Sequence, residues 1–405
     1  MMTTGERRDR PDDVSVAFEI ATPARVRFGA GVIAEAAPAV RALGTRALLV
    51  TGRSPGRASA LIAALEGGGV TTTVWALDTP GEPTVDSARA GVAVGRDAGC
   101  DVVIGFGGGG ALDAAKAIAA LLGNGGDPLD YLEVVGRGAP LAKPSLPLVA
   151  IPTTAGTGSE VTRNAVLTSP QHHVKASLRS PLMLPRLALV DPDLLAALPP
   201  AVIASGGLDA LSQLIEPFVS CKANPVTDGW AREGMRRSAR ALRLAFARGL
   251  AGEAAASLRQ DLACASLLGG LCLANAGLGA VHGLAAPLGG TFAAPHGAVC
   301  AALLPHVLAV NLRALTERAP HDPLLARFDE LAVILTGDAE ASAADGVAWV
   351  GALCAALAIP RLAQHGLTAA GIPPLVEKAK VASSMKGNPI ALTDGEIAEI
   401  TSAAM

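Results

Sequence analysis

The sequence predicts an α/β unit built on a parallel sheet, followed by an all-helical unit. Three observations carry this reading. Short apolar runs alternate with helical patterns through the first half of the chain, as parallel sheets wrapped by helices require. Strand signals nearly vanish beyond residue 195, where long Ala/Leu-rich segments take over. A length of 405 residues is generous for one domain and natural for two. The expected division is therefore 1–195 and 196–405.

The first fifteen residues, "MMTTGERRDRPDDVS", lack an apolar stretch and are expected to be disordered. "VAFEI" and "RVRFG" straddle Thr22-Pro23 and predict a hairpin. "RALLV" (46–50), "TTTVWAL" (71–77), "DVVIGFG" (101–107) and "PLVAIPTT" (147–154) read as strands. Helical spacing fills the gaps in "GVIAEAAPAVRAL", "RASALIAALEGG" and "TVDSARAGVAVGRDAG". In the second unit, helices are expected over 201–220, 228–249, 255–281, 297–318, 323–336 and 343–358. The uncharged stretch 262–281 could span a bilayer by length, but it contains Asn275 and lacks basic flanks, and it reads as a buried helix.

Composition narrows the function. Half of the residues are hydrophobic, 17% are charged and the net charge is −3, which disfavours nucleic acid or an anionic membrane as partner. Aromatics make up only 3% while glycine reaches 46 residues, a mix suited to close helix packing and glycine-shaped loops. Six scattered cysteines without a C-x-x-C point to reduced thiols in a cytoplasmic protein.

Three segments could carry chemistry. "IGFGGGGALDAAKAIA" (104–119) is a strand, four consecutive glycines and a helix. Gly105, Gly107 and Gly110 satisfy G-x-G-x-x-G, and amide groups at such a helix start can cradle a phosphate. A tight strand–helix turn explains the same glycines. "IPTTAGTGSEVTRNAVL" (151–167) offers hydroxyl and backbone donors suited to a pyrophosphate or a nicotinamide carboxamide, or is an ordinary polar loop. Asp209, His282 and His296 form the third set. His282 closes the apolar helix, Pro287 and Pro295 interrupt the chain, and His296 opens the next helix, so both histidines can converge on one ion. Hydrogen-bonded core histidines are the alternative, and helix phase leaves His306 open as a further ligand.

Together these segments resemble the iron-containing (group III) alcohol dehydrogenase family from about residue 20 to 400. "GGGGALDAAKAIA" is similar to the family's G-G-G-S-x-x-D-x-x-K, with Gly110 in place of Ser and with Asp113 and Lys116 retained. "IPTTAGTGSEVT", "LVDPDLLAALPP", "GLDALSQLIEPFVS", "GAVHGLAAPLGGTFAAPHG" and "GNPIALTDGEI" follow in the family's order. The resemblance implies a Rossmann-like dinucleotide-binding α/β domain, then an all-helical metal and substrate domain. It implies reversible hydride transfer between an alcohol and NADP(H) or NAD(H), with a divalent metal, Fe2+ or Zn2+, polarising the alcohol or carbonyl oxygen. Cofactor contacts carry over to Gly107, Gly108, Gly109, Gly110, Asp113, Lys116, Thr153, Thr154, Thr157 and Ser159. Metal and catalytic roles carry over to Asp209, His282 and His296.

The fourth metal ligand, a histidine in the family, falls on Gln213. Gln213 ligates through oxygen, stands aside while Asp209, His282 and His296 bind the ion with water, or marks a metal-free site like that of the similar maleylacetate reductases. A non-catalytic nucleotide-binding relative is the reading from another class. After the second strand, Gly52 replaces the Asp common in NAD-using relatives, with Arg53, Ser54 and Arg57 close by, which favours NADP(H). A small-molecule alcohol or aldehyde is the expected substrate, and a homodimer the expected assembly, as relatives pair their N-terminal strands.

Overall fold

The computed structural model describes residues 17–78, 81–172, 174–292 and 294–405. The segment expected to be disordered, 1–15, lies outside them. The first half runs β1 (Val26–Phe28), α1 (Ala36–Arg41), β2 (Arg46–Thr51), α2 (Ser59–Gly67), β3 (Thr71–Ala76), α3 (Val85–Asp97), β4 (Val102–Gly107) and α4 (Gly109–Asn124). It continues through α5 (Pro128–Tyr131), β5 (Leu148–Pro152), β6 (Asn164–Ser169), β7 (Val174–Arg179) and β8 (Leu187–Val190). Six strands form one parallel sheet in the order β1-β8-β5-β4-β2-β3. Every residue of β4 and of β5 is buried, because helices cover both faces, and this is why these strands read as unbroken apolar runs.

Among the described residues, the expected N-terminal hairpin does not form. β1 instead pairs in parallel with β8, Val26 opposite Ala188 and Phe28 opposite Val190. The chain before it is drawn away by Asn275, whose side chain accepts from the Ala21 amide at 2.6 Å and donates to the Ala21 carbonyl at 3.0 Å. Three strands escaped the sequence reading. β8 has only four residues, and β6 and β7 alternate buried with half-buried positions in a short antiparallel pair.

Beyond β8, the described residues hold helices and no strand. These are α6 (Pro200–Phe218), α7 (Pro225–Arg248), α8 (Ala256–Ala276), α9 (Ala280–Thr291), α10 (His296–Arg318), α11 (Leu324–Thr336), α12 (Ala343–Ala356), α13 (Ile372–Lys380) and α14 (Asp394–Ala403). The helix expected over 255–281 is two helices. Gly277 adopts φ 71°, a left-handed conformation that ends α8, and α9 leaves at 98°. His282 therefore stands in the first turn of a new helix rather than at the end of the old one. Pro287 does not interrupt the chain; α9 runs through it at the loss of one backbone hydrogen bond. α10 is long and apolar enough to cross a membrane, yet 72% of its apolar window is buried inside the fold, as for a core helix.

The abundant small residues bring the two layers into backbone contact. At Gly158, φ is +59° and an added Cβ would lie 2.4 Å from the Cα of Gly270 on α8. The amide of Gly156 donates to the Ser266 hydroxyl at 2.7 Å. The polar loop after β5 is thus pressed onto α8.

Candidate active site

The sheet order puts a topological switch point between β2 and β4. From β2 the chain moves outward to β3, then returns to β4 on the other side of β2. Ligands of open parallel sheets bind at such a switch point, outside the carboxyl ends of the strands. Gly52 follows β2 there, and Gly107 ends β4 beside it: a Cβ on Gly107 would lie 3.5 Å from the Gly52 amide nitrogen. Arg53, Ser54 and Arg57 are exposed on the same rim. α4 starts at Gly109 with Gly108 as its cap and no side chain capping it, so its first amides are free to face an anion.

Gly110 explains its own departure from serine. A Cβ there would sit 2.1 Å from the carbonyl oxygen of Gly81, so only glycine fits under the loop that follows β3. Thr154 and Thr157 line the opposite wall, within 3.2 Å of a Cβ on Gly108 and 2.7 Å of one on Gly109. Thr153 is buried and its amide donates to the Gly107 carbonyl at 2.8 Å.

Asp113, Lys116 and Ser159 come together differently. The Ser159 hydroxyl donates to Asp113 at 2.5 Å, and the Val166 amide donates to the same carboxylate at 2.9 Å. Lys116, almost wholly buried, reaches Asp113 at 3.0 Å and donates to the Thr162 hydroxyl at 2.8 Å. Burial lowers the Lys116 pKa, with Asp113 opposing, while burial pushes the neighbouring Glu160 up to about 7. These groups are committed to one another and tie α4 to the loop after β5. Glu160 was missed by the sequence reading.

The second cluster lies where α6, α9 and α10 meet. Asp209, Gln213 and Glu216 share one face of α6 at spacings of four and three residues. His282 Nε2 lies 3.4 Å and His296 Nε2 3.8 Å from Asp209 Oδ1. Glu216, missed by the sequence reading, accepts from His282 Nδ1 at 2.5 Å and from the Val281 amide at 2.7 Å. Asn388, in the "GNPI" stretch, accepts from the Ala280 amide at 3.1 Å and is locked to Asn311. Two side chains from distant segments thus cap α9 and fix the histidine it carries. Glu216 could have been found from its seven-residue spacing to Asp209; Asn388 had no local signal.

Cys300, one turn after His296, also joins the cluster, with its Sγ 3.6 Å from His296 Nε2. His306 does not belong to it, and burial lowers its pKa. Burial works against charge on His282, but Cys300, Glu216 and Asp209 outweigh it and hold its pKa well above the ordinary value. His296 is likewise lifted to about 9 against burial, by Cys300 and Asp209. The cluster therefore favours positive charge at its centre. Asp209 Oδ1, Gln213 Oε1 and His282 Nε2 are buried without a hydrogen-bond partner. Orphaned donor-set atoms around a buried carboxylate fit a divalent cation, which would satisfy them together.

Comparison with known proteins agrees with this architecture. A family model described as "Iron-containing alcohol dehydrogenase" matches residues 23–192, and "Fe-containing alcohol dehydrogenase family, C-terminal" matches residues 203–405. The chain belongs to the iron-containing alcohol dehydrogenase family. It is 36% identical over 385 residues to "Alcohol dehydrogenase 4" of Schizosaccharomyces pombe (strain 972 / ATCC 24843), covering 93% of this chain and 87% of that one. It is 35% identical over 392 residues to "1,3-propanediol dehydrogenase" of Citrobacter freundii, covering 95% and 97%. A solved 1,3-propanediol oxidoreductase superposes with TM-score 0.88 at 33% identity, covering 96% of this chain and all of that one. A sulfoacetaldehyde reductase from Bifidobacterium kashiwanohense, solved in complex with NAD+, gives 0.83 at 29% identity, covering 96% and 98%. This member of the iron-containing alcohol dehydrogenases is an oxidoreductase acting between alcohols and aldehydes, and its family binds NAD(P) and a metal ion.

Proposed function

We propose that the protein is an NADP(H)-preferring, metal-assisted alcohol dehydrogenase or aldehyde reductase. The observation that carries the metal is the orphaned pair, Asp209 Oδ1 and His282 Nε2, buried beside His296. A divalent ion bound there supplies Lewis-acid polarisation of the alcohol or carbonyl oxygen. Asp209, His282 and His296 hold it, and Glu216 fixes the ring of His282 so that Nε2 faces inward.

The free amides at the start of α4 receive the cofactor's pyrophosphate, with Thr154 and Thr157 as the opposite wall. Thr153, Asp113, Lys116 and Ser159 set the loop's position from below. Arg53, Ser54 and Arg57 are exposed beside Gly52, and that cationic rim favours a 2′-phosphate over a bare ribose. The cofactor division spans 1–195 and the metal and substrate division 196–405. We further propose a cytoplasmic homodimer, for which light scattering of the purified protein is the test. Six free thiols support the compartment.

Metal analysis of protein purified without chelator, with activity before and after EDTA, tests the central proposal. Activity should fall with the metal and return when it is restored. Full turnover by a demonstrably metal-free sample sinks it in favour of the metal-independent reductase reading. Steady-state comparison of NADP(H) with NAD(H) tests the cofactor preference, and equal kcat/KM values defeat it.

A further inference from the structure

We propose that Cys300, as a thiolate, replaces the missing histidine and completes the metal's ligand set with Asp209, His282 and His296. The inference rests on the metal-assisted reading above and goes beyond it by naming a ligand and a metal class. His296 and Cys300 are four residues apart on α10, so the helix presents both on one face. Cys300 is wholly buried, and its Sγ faces His296 Nε2.

Three of the six ligand separations lie close to the edges of a tetrahedron. With metal–nitrogen and metal–oxygen bonds of about 2.0–2.1 Å and a metal–sulfur bond of about 2.3 Å, neighbouring ligand atoms stand roughly 3.4 Å apart, or roughly 3.6 Å when one is sulfur. The observed separations are 3.4 Å for Asp209–His282, 3.8 Å for Asp209–His296 and 3.6 Å for His296–Cys300. No pair of the four ligand atoms is farther apart than 4.8 Å.

Three other cysteines behave differently. Cys221, Cys272 and Cys354 each donate to a backbone carbonyl, of Lys386, Thr227 and Ala301 respectively. Cys300 instead turns toward an imidazole in the cluster that holds the orphaned polar atoms of Asp209, Gln213 and His282. Gln213 lies one turn from Asp209 on α6 with its buried Oε1 unpartnered, so it is the rival fourth ligand that Cys300 must displace. A neutral amide oxygen is the poorer donor for a borderline-soft ion, whereas a thiolate suits zinc or its cobalt substitute. The exchange of histidine for glutamine on α6 is thus balanced by sulfur arriving from α10.

Cobalt(II) added to the metal-depleted full chain provides the test. The wild type should bind one equivalent and show sulfur-to-metal charge-transfer absorption in the near-ultraviolet beside the visible bands of tetrahedral cobalt. Cys300→Ser should lose the near-ultraviolet band and bind cobalt at least about tenfold more weakly, while Gln213→Ala keeps the band. Because a buried cysteine variant can misfold, X-ray absorption of the zinc-loaded wild type supplies a second readout, a sulfur scatterer at about 2.3 Å. Stoichiometric cobalt without the charge-transfer band, or a band that survives Cys300→Ser, overturns the assignment of Cys300 alone. Failure of the wild type to bind cobalt or zinc overturns the metal-assisted reading together with it.

Discussion

Replacing Glu216 by glutamine isolates the geometry of the metal cluster. The carboxylate accepts two hydrogen bonds, 2.5 Å from His282 Nδ1 and 2.7 Å from the Val281 amide. A carboxamide can accept only one of them, so its NH2 must face either the Val281 N–H or the His282 ring. In the first case a buried donor is left unpaired. In the second, Nδ1 must surrender its proton, which moves to Nε2 and blocks the atom that faces Asp209. Leaving one buried group unsatisfied costs about 1–3 kcal/mol. In the second case that cost falls on metal binding and corresponds to roughly a 5- to 150-fold weaker affinity, bracketing the 10- to 100-fold range for lost orienting partners. Competition against a chelator of known affinity measures this directly, with a thermal melt of the metal-free variant as the folding control. An affinity within about twofold of wild type together with an unchanged melting temperature would refute the orienting role of Glu216, whereas a lowered melting temperature alone places the unpaired group at Val281.

Three further outcomes follow from other positions. Gly110→Ser, which restores the family residue, should raise the KM for cofactor with little change in kcat, because its Cβ would displace the loop at Gly81; fluorescence titration of NADPH reads the effect. Gly52→Asp meets nothing within 4 Å, so its melting temperature should match wild type while the kcat/KM ratio of NADP to NAD falls about tenfold or more through repulsion of the 2′-phosphate. Glu160 has its pKa raised to about 7, so the folded state holds a proton the unfolded state releases near 4.5. Stability should therefore decline as pH rises through that window. Relative to Glu160→Gln, wild-type unfolding free energy should drop by on the order of 3 kcal/mol between pH 5 and pH 8, measured by urea denaturation. A flat difference would show that Glu160 stays ionised.

Much of the fold was legible because its cues are local. The alternation of apolar runs with helical spacing marked β2 to β5 and helices α2 to α4 between them, and the start of α4 was visible in four glycines. Asp209 and Gln213 were readable as one helical face. The N-terminal hairpin failed because strand pairing is decided by partners: β1 found β8, some 160 residues downstream. The helix expected over 255–281 failed because glycine in a left-handed conformation looks no different in sequence from glycine inside a helix.

The cluster shows the same divide. From sequence alone came the residue types able to hold an ion, Asp209, His282 and His296, and the anomaly at Gln213. Only the tertiary structure brought Glu216 under His282 from 66 residues away and turned Cys300 toward His296. The physical reason is that helix periodicity sets which side chains share a face, whereas the meeting of three faces depends on how α6, α9 and α10 pack.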